Sequence, residues 1–165
     1  SLLSTAALPT LAALVEDPSR FRASFDALSF SAGTALDLAA PDLPQVVLTV
    51  PALEGFPVIS NGSFRVSGTW SADLESQPDG ALVLGESAEL SFGASALLDL
   101  ACSGSVSDLK GRVIARGPVG AILNGPAEVR VNGKSGRWRT VVETVGGTSC
   151  LTLERVPSGM LLLFR

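Results

Sequence analysis

The chain has 165 residues, 46% hydrophobic and 17% charged, with a net charge of −4: enough for one domain with a real core, and too apolar for disorder. It contains no histidine and no tyrosine, so the commonest general base is missing and an enzyme is not the expected reading. Residues 1–104 hold three bases against twelve acids and residues 105–165 nine bases against four, so only the C-terminal third presents positive charge to phosphates or acidic headgroups.

The first stretch, SLLSTAALPTLAALVEDP, places Leu3, Ala7, Leu11, Leu14 and Val15 near one helical face. Asp17-Pro18 stops it, because a residue before proline avoids the helical region, and Pro9 kinks or divides it. A second helical turn is expected over 19–25. The stretch is too short, and lacks the basic flank, to be a signal peptide or a membrane span. The start at Ser1 and the apolar finish GMLLLFR suggest an excised piece. The expected division is a helical segment over 1–26 and an antiparallel β domain over 27–165.

From Ala27 the pattern turns to period two: Leu28, Phe30, Ala32, Thr34, Leu36 and Leu38 alternate with small or polar residues. Turn signals then recur at short spacing. Asn61-Gly62, QPDG at 77–80, NGP at 124–126, NGKSG at 132–136 and Gly146-Gly147 each separate runs rich in Val, Leu, Thr or Phe. Asn61-Gly62 is the sequence of a two-residue hairpin turn. Such spacing predicts a mostly β chain, an antiparallel meander or curved sheet arranged as sandwich, barrel or trough. A turn at Gly146-Gly147 places Val145 opposite Thr148, Glu143 opposite Cys150, Val142 opposite Leu151 and Arg139 opposite Glu154. Trp138, Val142, Leu151 and Leu153 then share one face, and Arg139, Glu143, Thr152 and Glu154 the other.

Ala88–Cys102, AELSFGASALLDLAC, reads as one long two-faced strand of about 50 Å, with a helical stripe as the competing reading. Phe64, Val66, Trp70, Ala72 and Leu74 form a similar row. Sheets with one oily face must pack on a second sheet, receive the helix, close, or curl into a trough. In a trough, Phe64, Val66, Trp70, Leu90, Phe92, Leu98 and Leu100 would line an apolar ligand site.

Motifs for chemistry are sparse. The Gly-Lys-Ser of NGKSG lacks the first glycine of a phosphate loop. No acid pair can be placed together, no serine has a base, and neither metal nor cofactor is expected. GRWR at 136–139 interleaves arginine with tryptophan, and Arg130, Lys134, Arg137 and Arg139 are candidates for contact with an anionic strand or headgroup. The plainer alternative is Trp138 in the core with the cations in solvent. Nucleic acid is not an expected partner. Cys102 and Cys150 are expected to form a disulfide in an oxidising compartment, the alternative being two buried thiols.

The runs GRVIARGPVGAILNGPAEVRVNGKSGRW and GSFRVSGTWSADLES resemble the β repeats of AsmA/TamB-like envelope proteins over residues 63–145. The resemblance implies a trough, apolar inside, that holds or conducts phospholipid between bacterial membranes. An apolar N-terminal helix, an antiparallel sheet and two cysteines are also similar to truncated pilin-like subunits, which work by assembling. The expected function is a non-enzymatic, extracytoplasmic β module sheltering lipid or another apolar ligand. The alternative is a structural subunit that assembles with itself or with envelope proteins, its helix packed on the sheet.

Overall fold

The structure, a computed structural model, describes residues 21–157 except 25, 31–33, 40–45, 76, 78 and 79. The strands in chain order are β1 (Phe21–Ser24), β2 (Leu28–Ser29), β3 (Ala35–Asp37), β4 (Val46–Glu54), β5 (Val58–Ser60), β6 (Gly62–Asp73) and β7 (Leu82–Leu84). They continue with β8 (Ala88–Phe92), β9 (Leu97–Ala101), β10 (Val113–Pro118), β11 (Glu128–Val131), β12 (Trp138–Val145) and β13 (Thr148–Arg155). One 3-10 turn, Val106–Leu109, precedes β10.

Two sheets result. The first carries β1, β2, β4, β6, β8, β9 and β11, and every pairing in it is parallel. The second runs β12-β13-β10-β7-β5-β3, parallel from β3 to β10 and antiparallel only at β13 and β12. From β3 to β11 the chain passes back and forth between the sheets and lays each strand on the one a coil earlier. Parallel neighbours need a long crossover; here the crossover is the strand of the opposite sheet. The architecture is a parallel β-solenoid closed by an antiparallel hairpin.

This corrects the antiparallel meander. The period-two faces are right, but most turns act as corners between sheets rather than as hairpins. At Asn61-Gly62 both residues adopt positive φ, 54° and 135°, as the dipeptide predicts, yet the chain leaves β5 in the second sheet and enters β6 in the first. One coil later Ser87, at φ 57°, repeats the corner, and Gly62 donates to its carbonyl at 2.8 Å. The hairpin at Gly146-Gly147 forms in the expected register, Val145 to Thr148 through Arg139 to Glu154.

The long strand over 88–102 is two strands. Gly93–Ala96 closes a turn, with the Ala96 amide donating to the Gly93 carbonyl at 3.1 Å, and both halves pair with β6. The break belongs to a crease through the first sheet. In the coil before, a Cβ at Gly68 would lie 2.2 Å from the Pro51 carbonyl oxygen. There the β4–β6 register slips between Val50 and Ala52, and the Ser67 hydroxyl donates to the freed Val50 carbonyl at 3.2 Å. Proline in a strand interior is tolerated at such irregularities.

Inward residues stack in columns: Leu48, Phe64 and Leu90 with Ile122, then Val50, Val66 and Phe92, then Leu53, Trp70, Leu98 and Val129. Leu36, Ile59 and Leu84 form the opposite wall. All are buried, each contributing about 1.5–3 kcal/mol by leaving water. The expected helix over Leu3–Val15 lies outside the described residues. The helical turn over 19–25 is not formed where the chain is described, since Phe21–Ser24 is β1, parallel to Val46–Thr49. Strand structure therefore begins before residue 27.

Candidate functional site

The seven residues expected to line a trough lie inside the solenoid: Phe64, Val66, Trp70, Leu90 and Leu98 are 0% exposed, Leu100 1% and Phe92 4%. They fill the space with one another. Trp70 stacks on Phe92 at 6.0 Å between ring centroids and meets the edge of Phe56 at 5.9 Å. Its indole N–H donates to the Gly55 carbonyl at 2.8 Å, which satisfies the one polar group of a fully buried side chain. A well-packed apolar row on a strand has the same alternation whether a ligand or a second sheet covers it, so the sequence could not separate the two.

The four cations part company. Arg139 pairs with Glu154 at 2.7 Å and Arg130 with Glu128 at 3.5 Å. Lys134 and Arg137 stand at a small cleft of about 140 Å³, with Val106, Val131, Asn132 and Trp138 as its other walls. Trp138 is buried, 6% exposed, with its arginine neighbours outside.

Both cysteines are free thiols, so the expected disulfide is not formed. Cys102 follows β9 in the first sheet, its peptide held by the Asn132 side chain. Cys150 is buried in β13 of the second sheet, paired with Arg116 and Glu143. An even cysteine count carries no information about which sheet each residue occupies.

Parallel stacking creates a feature that sequence reasoning missed. Register places Glu54 beside Ser71 and Ser71 beside Asp99, and these residues with Asp73, Asn132 and Gly133 border an open cleft of about 270 Å³. Among the described residues no group of three or more His, Cys, Asp or Glu is placed to hold a metal ion. The Asp37 carboxyl sits below its ordinary pKa because the Asn61 side chain, and then the Ala39 amide, donate to it.

Two asparagines, read from sequence as turn residues, turn out to extend the first sheet. The Asn124 side chain accepts from the Phe92 amide at 2.7 Å and donates to the Phe92 carbonyl at 2.9 Å. The Asn132 side chain does the same for Cys102, at 2.9 and 2.7 Å. Each amide stands in for a peptide unit of the next coil.

The outermost strand of the second sheet, β12, bonds β13 alone among the described residues. Its Val142 and Val145 are 39% and 57% exposed. Comparison of the chain with protein families, curated proteins and solved structures gives no match.

Proposed function

We propose that the chain is a non-enzymatic structural module, a stiff β-solenoid that works by holding surfaces at fixed separation and joining them to other protein. The observation that carries this reading is the filled interior around Trp70, where the residues that could have met an acyl chain meet Phe56, Phe92 and Leu98 instead. The absence of histidine from the chain, and the outward positions of the carboxylates among the described residues, agree with a role without proton transfer.

Organic extraction of the purified protein followed by mass spectrometry tests it, together with titration by an apolar fluorescent probe. The structural reading expects neither stoichiometric lipid nor saturable probe binding. Lipid recovered at about one per chain, or quenching of Trp70 at saturation, would overturn it in favour of an apolar-ligand module.

A further inference from the structure

The edge strand β12 has the features of a docking strand, and its sequence names the partner. It is eight residues long, with no proline and no lysine, and its pairing with β13 runs without a bulge. Long, regular, partly apolar edges pair with other chains unless something blocks them. The side on which its free backbone groups lie can be read directly. Val156 donates to the Arg137 carbonyl at 3.0 Å, so odd-numbered residues bond β13, and Trp138, Thr140, Val142 and Thr144 point their amides and carbonyls off the sheet.

The charges on this strand are complementary to the strand itself. Arg139 and Glu143 share the outer face, on either side of Val141. Glu143 accepts from the Thr152 hydroxyl at 2.7 Å and has no cationic partner among the described residues. Arg139, held by Glu154 through Nε and one terminal nitrogen, keeps its other terminal nitrogen for a further acceptor.

We propose that a second copy of the chain docks its β12 antiparallel to this one, about a two-fold axis through Val141. Trp138 through Thr144 are then paired. Each Arg139 lies opposite Glu143 of the other copy and bridges it to its own Glu154. Thr140 lies opposite Val142, exchanging backbone hydrogen bonds through the groups that β13 leaves free, and the exposed Val142 gains a neighbour on the inner face. Sliding the axis to Val142 sets Arg139 against Val145 and leaves Glu143 opposite Val141. Sliding it to Thr140 shortens the ladder and sets Glu143 against Arg137, outside the strand. The Val141 register alone pairs most of the strand and both of its charges, as an isologous contact requires.

The inference rests on the structural reading and names its partner; the two fail separately, since bound lipid would sink the function and leave this interface standing. Sedimentation velocity across a concentration series measures it. The wild-type chain is expected to be a dimer that dissociates on dilution. Glu143→Arg and Arg139→Glu each set like charges opposite one another and weaken the dimer by about tenfold or more. Mixed in equal amounts, the two variants restore it, because Arg139 and the new Arg of one then face Glu143 and the new Glu of the other. Val142→Pro removes an amide that β13 does not use, so the fold survives by circular dichroism while the dimer is lost. A wild-type chain that is monomeric throughout, a Val142→Pro variant that still dimerises, or a mixture that stays monomeric would overturn the proposal.

Discussion

Asn124 and Asn132 complete a parallel ladder with side chains, each giving one donor and one acceptor to a single residue of the coil before. Replacing Asn124 by alanine leaves the Phe92 amide and carbonyl without partners, at a cost of about 1–3 kcal/mol in urea denaturation. Asn124→Asp does not rescue it, because a carboxylate accepts from the amide and cannot donate to the carbonyl. The cysteines make a second prediction. Cys102 is partly exposed and Cys150 buried, so native protein reacts quickly with a thiol reagent at one residue, and at the other only on unfolding. The third concerns Asp37, whose carboxyl two hydrogen bonds hold below its ordinary pKa. Its ionised form adds stability in full above the ordinary value, and that stability fades as pH falls through the lower folded value. Asn61→Gly, which tolerates the positive φ at this corner, removes the larger donor and moves the carboxyl's NMR titration upward.

At the scale of elements, the crease through Pro51, Gly68 and Gly93 carries the sharpest expectation. Gly68→Ala would drive a methyl group into the Pro51 carbonyl, a backbone group that no side-chain rotation can move aside, and a fall in denaturation midpoint follows. Trp70→Ala empties the centre of the aromatic stack and costs about 3–5 kcal/mol. These elements also mark where the sequence was legible. Alternation in β6, β8 and β9 identified the buried faces, because side chains on a strand alternate whatever lies beside it. Gly146-Gly147 identified a hairpin and its register, because a two-residue turn ties the pairing to the turn. Direction was not legible elsewhere. Positive φ at Asn61-Gly62 is needed for a hairpin and equally for a corner, and no local signal separates them. Coils of unequal length also hide the repeat: Val47 finds its neighbour at Ser63, but Gly62 finds its own at Ala88. The two-faced stretch over 88–102 was split by a crease whose cause lies partly in β4 and β6.

Taken whole, the molecule is a stack in which each coil touches only its neighbours, so stability is close to a sum of coil and interface terms. Hydrogen exchange is expected to be slowest in β6, which pairs on both sides with β4 and with β8 and β9, and fast in β2, two residues held on one side. Opening at an end need not unfold the centre. At the end of the second sheet β13 runs antiparallel to β10, and the edge strand β12, antiparallel to β13, again runs parallel to β10, β7 and β5. A second copy related by a two-fold axis would set its own β12 antiparallel to this edge, where a further coil would add a parallel strand.

The asparagines carry one more consequence, a chemical one. All three in the chain are followed by glycine, the neighbour that least hinders attack of its own backbone nitrogen on the side-chain carbonyl, with loss of ammonia. Hydrolysis of the resulting ring at Asn124 or Asn132 leaves aspartate or isoaspartate, with an oxygen where the ladder needs an N–H. Stored protein should therefore age by acquiring negative charge, seen as acidic species on ion exchange. The aged fraction should loosen first at Phe92 and Cys102, since the seam between these coils lasts only as long as two amides do.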